Sequence, residues 1–176
     1  MLDLPERTLR RAASEGLIHG ERVSPRRYRT SLREESYLRR HWPFLREVRD
    51  ALRTEPNVRL AVLFGSMATD TASERSDVDV LVKLADDDTG RVADLAARLS
   101  RRLARDVQVV RLSDAERSPT LMASILDQGR VLVDREHCWP ALQRKAAQWH
   151  RRAREQAVPL EDAAPDIDID DVEPKQ

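Results

Sequence analysis

The chain lacks the features that mark secreted, membrane-spanning or disulfide-linked proteins. It has a single cysteine, Cys138, which excludes an internal disulfide and a cysteine cluster for a metal. Its apolar runs are only a few residues long, far below the ~18 residues of a membrane span. The N-terminus has no basic stretch leading into an apolar one, so it does not read as a signal peptide. We therefore expect a cytoplasmic protein with no membrane partner.

Lysine, aromatic residues and net charge are scarce as well. Only 3 of the 31 basic residues are lysine, and aromatic residues make up 4% of the 176 residues. The formal net charge of zero is a cancellation, because residues 1–40 and 135–160 each carry +4, residues 57–134 carry −2, residues 161–176 carry −6 and residues 41–56 are neutral. Neutrality therefore excludes neither a nucleic acid nor a charged protein as a partner.

Hydrophobic periodicity predicts an α/β (α+β) fold in which helices flank a small mixed β-sheet. Four short apolar runs of strand character are expected to form the sheet, at residues 59–64, 77–84, 107–112 and 131–133. Amphipathic patterns predict helices between them and at both ends of the chain. The sequence therefore indicates a single compact domain with a helical appendage at its N-terminus.

Local signals predict where several helices begin or bend. Ser31 with Glu34, and Ser113 with Glu116, have the spacing of a capping box at a helix start. Pro43 lies within the long helix that Ser31 opens, which predicts either a kink or two abutting helices.

One segment contains the residues that point to chemistry. Gly65 and Ser66 end a predicted buried strand, and after ten intervening residues come Asp77 and Asp79. Glycine allows a ligand to approach the backbone, and N–H groups at such a turn favour a phosphate. Aspartates two apart on a strand point to one face, where their oxygens suit Mg²⁺. This combination equips a protein for phosphoryl transfer from a nucleoside triphosphate; the alternative is an ordinary strand–turn corner with a polar strand end.

The Gly-Ser turn, the spacer and the paired aspartates resemble the nucleotidyltransferase domain of the DNA polymerase β superfamily, in particular its minimal bacterial members. The resemblance covers roughly residues 45–135. It implies that Gly65 and Ser66 hold the phosphates of a nucleoside triphosphate, expected to be ATP, and that Asp77 and Asp79 are catalytic and hold Mg²⁺. Minimal members of this family often act as antitoxins, some by transferring AMP to a tyrosine of a partner toxin.

One position departs from the family pattern. The family usually has a third carboxylate on the next strand, where Gln108 stands in this chain. A glutamine oxygen is a weak, neutral metal ligand and cannot act as a general base. Asp106, about 6–7 Å away along the same face, is a displaced substitute, whereas Asp114 is expected to stabilise the dipole of the helix it begins. Nucleotide and Mg²⁺ binding is therefore expected to survive, with catalysis weakened or lost.

The resemblance and the charge layout divide the chain into three segments. Residues 1–40 are predicted to form a basic N-terminal arm, residues 41–157 the nucleotidyltransferase domain with flanking helices, and residues 158–176 an acidic disordered tail. The arm resembles a small winged helix or another helix-turn-helix, and DNA phosphates are the expected partners of its arginines. The alternative is a solvated basic face that packs on the central domain. The arginines in question are Arg10, Arg11, Arg26, Arg27 and Arg29.

Two functions remain open from the sequence. The first is a Mg²⁺-dependent nucleotidyltransferase that moves a nucleoside monophosphate from a triphosphate to a hydroxyl of a macromolecule, with a toxin protein as the leading acceptor. The second is a catalytically weak module that binds nucleotide and DNA and acts as an antitoxin or as a transcriptional autoregulator. The residue at position 108 decides between them.

Overall fold

A computed structural model describes residues 5–24, 27–69, 71–72, 76–86 and 88–157. The acidic tail predicted at 158–176 and the residue Arg26 lie outside this range. The described elements, in chain order, are α1 (Glu6–Ser14), β1 (Glu21–Ser24), β2 (Arg27–Arg29), α2 (Leu32–Arg53), β3 (Val58–Phe64), α3 (Ser66–Thr69), β4 (Val78–Leu84), α4 (Thr89–Leu103), β5 (Val107–Arg111), α5 (Leu112–Ala115), α6 (Pro119–Gln128), β6 (Arg130–Asp134), α7 (Cys138–Gln143) and α8 (Ala146–Ala157).

The four predicted strands form one mixed sheet. Its spatial order is β5-β4-β3-β6, in which β4 and β5 run parallel and the other neighbours run antiparallel. The parallel pair is joined by helix α4, as a crossover between parallel strands requires. The central strands β3 and β4 are mostly buried along their length. This arrangement confirms the predicted fold class of a small mixed sheet flanked by helices.

Helices cover both faces of the sheet. Side chains alternate between the two faces along each strand, so each central strand contributes to both apolar layers. Ala61 and Leu63 of β3 point to the face where α1, α2 and α4 pack. Leu60 and Val62 of the same strand point to the other face, where α6, α7 and α8 pack. The core is therefore two apolar layers separated by the sheet, and Trp42 and Trp149 are buried in these layers as their helix positions predict.

The N-terminal segment packs into this core. Ala12 of α1 and the residues Leu17 and Ile18 that follow it are buried in the layer formed with α2 and the sheet. Strands β1 and β2 pair as an antiparallel hairpin whose side chains are mostly exposed. Helix α2 continues without interruption through residue 40 and through Pro43, so the predicted domain boundary falls inside a helix. The division into domains stays a prediction.

Neither of the two capping boxes predicted from the sequence forms completely in the structure. Ser31 does cap α2, its hydroxyl accepting a hydrogen bond from the Glu34 N–H at 3.1 Å, but the Glu34 carboxylate bonds elsewhere. The capping box predicted at Ser113 is wrong, because α5 begins earlier and has Arg111 at its N-cap position.

None of the helices in the described part of the chain combines the length and the apolar character that crossing a membrane requires.

Candidate nucleotide and metal site

The turn at the end of β3 lies against the start of β4. Gly65 adopts a φ of +70°, a left-handed conformation that strongly favours glycine. A Cβ atom at this position would lie 2.3 Å from the Oδ2 atom of Asp79, which no real contact allows. The backbone conformation therefore favours glycine here, and any side chain would in addition force the Asp79 carboxylate to move. The structure brings Gly65 and Asp79 together as the motif predicts.

The two aspartates form a close acidic pair at the start of β4. Asp79 lies in the strand, Asp77 immediately precedes it, and both side chains are half-buried. Burial, and then the charge of Asp77, raise the pKa of Asp79 above its ordinary value. An ionised pair in this position repels itself, and a bound cation relieves that repulsion.

Gln108 occupies the position expected of a third acid. It pairs with Asp79 across the parallel strands β4 and β5, and its Nε2 atom donates a hydrogen bond to Oδ2 of Asp77 at 3.2 Å. Its amide therefore faces the acidic pair where the family pattern has a carboxylate. The amide adds no negative charge and cannot accept a proton.

The two other candidate acids differ in their distance from the pair. Asp106 precedes β5 on the same face as Gln108 and is exposed, and no hydrogen bond joins it to Asp77 or Asp79 in the described part of the chain. Asp114 follows the C-terminal end of β5. Because β4 and β5 run parallel, Asp114 lies at the opposite end of these strands from the acidic pair, which stands at the start of β4. Its carboxylate instead accepts two hydrogen bonds from Arg111, at 2.6 and 3.0 Å.

The donor set fits Mg²⁺ completed by a nucleotide. Within the described ranges no cluster of three or more His, Cys, Asp or Glu side chains could hold a metal on its own. Asp77 and Asp79 supply two carboxylates, and Mg²⁺ is commonly held by one or two carboxylates together with substrate phosphates. A site of this composition would bind Mg²⁺ weakly by itself and more tightly when the phosphates of a nucleotide complete its ligands.

Sequence reasoning missed two side chains that contact the segment after the Gly-Ser turn. The hydroxyl of Tyr37 donates to the carbonyl of Met67 at 2.8 Å, and Nε of Arg130 donates to the carbonyl of Ala68 at 2.9 Å. Both side chains are buried. Tyr37 has the apolar helix spacing that ordinarily marks a core residue. Arg130 directly precedes the strand predicted at 131–133 and is the first residue of β6 in the structure. Neither position therefore signals its role in the sequence.

Comparison with known proteins agrees with the geometry. The family model described as polymerase beta, nucleotidyltransferase, matches residues 46–137, which is more than half of the chain. These residues include the Gly-Ser turn, the acidic pair and Gln108. No curated protein sequence matches the chain at a significant level.

Solved structures with the same fold come from toxin–antitoxin systems. One chain of a toxin–antitoxin structure with AMP-PNP is 27% identical to this chain, with a TM-score of 0.54. The match covers 64% of this chain and 90% of the other. An MntA–HepT toxin–antitoxin structure is 25% identical with a TM-score of 0.50, covering 65% and 91%. An MNT antitoxin in complex with a tri-AMPylated HEPN toxin of Shewanella oneidensis is 24% identical with a TM-score of 0.51, covering 66% and 91%, and supports the fold alone.

The acidic pair makes a prediction about metal binding that does not depend on activity. The folded-state pKa of Asp79 is raised, so its contribution to stability is present at low pH and is lost as pH rises through that pKa. At neutral pH and without divalent cations, Asp77→Asn is therefore expected to unfold at the same or a higher temperature than the unmodified protein. Mg²⁺ is expected to raise the melting temperature of the unmodified protein but not that of Asp77→Asn.

Asp106→Asn is the matched control, since it neutralises an exposed acid on the same sheet face. Its melting temperature should rise with Mg²⁺ as much as that of the unmodified protein. An equal Mg²⁺ response in Asp77→Asn and Asp106→Asn would contradict the assignment of the metal to the acidic pair.

Proposed function

We propose that this chain, which belongs to the polymerase beta nucleotidyltransferase family, transfers a nucleoside monophosphate from a triphosphate to a hydroxyl of a protein. The single observation that carries this proposal is the approach of Gly65 to Asp79. It sets a turn suited to phosphates directly against an acidic pair suited to a divalent cation. Neither element alone would distinguish a nucleotide site from a polar corner of a sheet.

Each side chain has a role in this proposal. The backbone at Gly65 and the hydroxyl of Ser66 bind the phosphates, and Asp77 and Asp79 hold Mg²⁺. Mg²⁺ supplies positive charge that stabilises the phosphates and the departing pyrophosphate. The acceptor oxygen forms a bond to the α-phosphorus, the bond to the β-phosphate oxygen breaks, and the acceptor proton passes to solvent. ATP is the proposed nucleotide, a choice supported by the likeness to a complex with AMP-PNP.

The proposed acceptor is a partner toxin, for which the chain would act as an antitoxin. The structural relatives at 25% identity or above are toxin–antitoxin assemblies, which supports this class of partner. A docked macromolecule also suits a site of two half-buried aspartates beside the exposed Gln108 better than an enclosed small molecule does. Gln108 limits the rate, because general-base catalysis typically contributes about 10²–10⁴-fold and an amide cannot supply it.

The alternative is a module that binds nucleotide without transferring it. A transfer assay separates the two functions: the protein is incubated with Mg²⁺, each labelled nucleoside triphosphate in turn, and the product of the adjacent gene. Label is expected on the partner with ATP, and it should be lost when Asp77→Ala is combined with Asp79→Ala. The matched control is Asp106→Ala, which removes a nearby exposed carboxylate and should leave the transfer intact.

Nucleotide binding measured on the same samples decides how a negative result is read. Binding without label on the partner, whichever triphosphate is used, would rule out the transferase and support the binding module. Label that persists in the double variant would show that Asp77 and Asp79 are not the reacting site.

A second proposed function is DNA binding by the N-terminal arm, which is supported by a concentration of arginines. Arg22, Arg27 and Arg29 project from an exposed hairpin. Away from the hairpin, cavities of about 440 and 520 Å³ are both lined by Arg11 of α1 and by Arg49 and Arg53 near the C-terminal end of α2.

The arginines around these cavities exceed the acids available to neutralise them. Glu15 pairs with both Arg11 and Arg49, whereas the guanidinium groups of Arg46 and Arg53 have no ion pair among the described residues. Burial, and then the charge of Arg49, lower the pKa of Arg53 from its ordinary value. An added anion would relieve this repulsion, and a row of phosphates is an anion of suitable length.

Deleting the arm is a poor test of DNA binding, because the deletion would also remove the buried residues Leu17 and Ile18. A better test combines Arg22→Gln with Arg27→Gln and follows binding to the gene's own promoter as salt is varied. If each arginine neutralises one phosphate, the slope of log affinity against log salt should fall by about 1.8. The control combines Arg151→Gln with Arg154→Gln on α8, two exposed arginines. Equal weakening by both pairs would argue against the arm.

A further inference from the structure

Helix α3 begins at Ser66 and is too short to satisfy its own carbonyl groups. The last four carbonyls of an α-helix have no partner within the helix, and α3 has only four residues. In this structure the carbonyls at its C-terminal end accept hydrogen bonds from side chains of α2 and β6. The donors are Tyr37 to Met67 at 2.8 Å, Arg130 to Ala68 at 2.9 Å and Arg33 to Thr69 at 3.4 Å.

Among these donors, Arg130 is fixed by a buried ion pair. Nη1 and Nη2 of Arg130 donate to the two carboxylate oxygens of Glu34 at 2.6 and 2.9 Å. The guanidinium also lies over the ring of Tyr37, 3.6 Å from its centroid. The side chains of Arg130 and Glu34 are only 3% and 6% exposed. A bidentate pair stacked on an aromatic ring has one geometry, so the bond to Ala68 has a fixed direction.

Packing alone does not hold this end of α3. A cavity of about 420 Å³ borders it and is lined by Ala68 and Thr69 together with Tyr37 and Arg130. Met67 and Ala68 are also buried in the apolar layer formed with α2, so hydrogen bonds at the rim of the cavity act together with packing to fix the helix. Any loosening of these bonds would be transmitted to Ser66 and Gly65, which precede the anchored carbonyls by one to four residues.

We propose that Tyr37 and Arg130 are positioning residues for the phosphate-binding turn, with Glu34 fixing Arg130. This inference rests on the nucleotide-binding function proposed above. Tyr37 and Glu34 lie on α2 before the family match, which begins at residue 46. Arg130 lies inside the match, so the turn common to the family is held in this chain partly by residues that the family match does not include.

The N-terminal segment is tied to the same pair of side chains. The backbone N–H of His19 donates to Glu34 at 3.0 Å, and the carbonyl of Leu17 accepts from Arg130 at 3.3 Å. These bonds link the residues between α1 and the hairpin to the anchor of α3. Changes in the N-terminal segment are thus expected to reach the phosphate-binding turn through Glu34 and Arg130.

Tyr37→Phe is the sharpest variant, because it keeps the ring beneath Arg130 and removes only the hydroxyl that binds Met67. The affinity of the full chain for Mg²⁺ with AMP-PNP is measured by calorimetry, and its stability by urea unfolding. Losing one anchoring hydrogen bond should weaken nucleotide binding by about 3- to 10-fold. The matched control is Thr54→Val, which removes a hydroxyl that donates to the Ala51 carbonyl at 2.7 Å at the far end of α2.

Each variant removes one hydroxyl that donates to a backbone carbonyl, one buried and one exposed. Urea unfolding measures the stability that each variant loses, so its nucleotide affinity can be compared with that loss. Weaker binding in Tyr37→Phe with unchanged binding in Thr54→Val supports the proposal. Equal affinity in both variants and in the unmodified protein overturns it. Arg130→Lys provides a second variant, expected to weaken binding at least as much, because a lysine cannot make the bidentate pair and the bond to Ala68 together.

Amide hydrogen exchange without nucleotide distinguishes failure of this proposal from failure of the proposed function. If the unmodified protein binds no AMP-PNP, the nucleotide-binding function is overturned while the anchoring can still be measured. Faster exchange confined to residues 66–69 in Tyr37→Phe supports the anchoring of the turn. Exchange at these residues that matches the unmodified protein overturns it.

Discussion

The buried pair of Arg130 and Glu34 connects the N-terminal segment, helix α2 and the segment that follows the Gly-Ser turn. It joins β6 to α2 and holds the carbonyl groups of Leu17 and Ala68. Removing one partner of such a pair typically costs about 3–5 kcal/mol, because the remaining charge stays buried and unpaired. Replacing both partners by apolar residues is often neutral or stabilising. The value of the pair therefore lies in the single arrangement that it imposes on the segments around it.

That arrangement constrains the N-terminal segment as well as the nucleotide site. Burial, and then the charge of Arg130, lower the pKa of His19, so this side chain is expected to stay neutral at neutral pH beside the pair. Leu17 and Ile18 complete the apolar layer under α2. The hairpin and the outer face of α1 remain exposed and rich in arginine. One segment can thus be part of the folded core and still present a basic surface to a partner.

The sequence predicts the sheet and the acidic site well, for reasons visible in single residues. The apolar run of β3 and the alternation in β4 predict those strands. Gly65 can be interpreted because a tight turn and the close approach of another group to the backbone both favour glycine. Glu34 was assigned to a capping box by its local spacing, whereas its carboxylate binds an arginine 96 residues later. No local pattern contains such a partner, because the register of β6 against β3 and the packing of α2 create it. The roles of Tyr37 and Arg130 depend on similar contacts between distant segments, so local sequence patterns do not predict them.

The central claim is that this chain holds a complete nucleotide site whose chemistry is limited by an amide at position 108. The most direct test is the single-turnover rate of transfer to the partner at saturating ATP and Mg²⁺, compared between the unmodified protein and Gln108→Glu. Glutamate places a carboxylate where the glutamine amide contacts Asp77. We predict a rate at least about 10-fold faster for Gln108→Glu, with little change in nucleotide affinity. A rate equal to or slower than that of the unmodified protein would contradict the account.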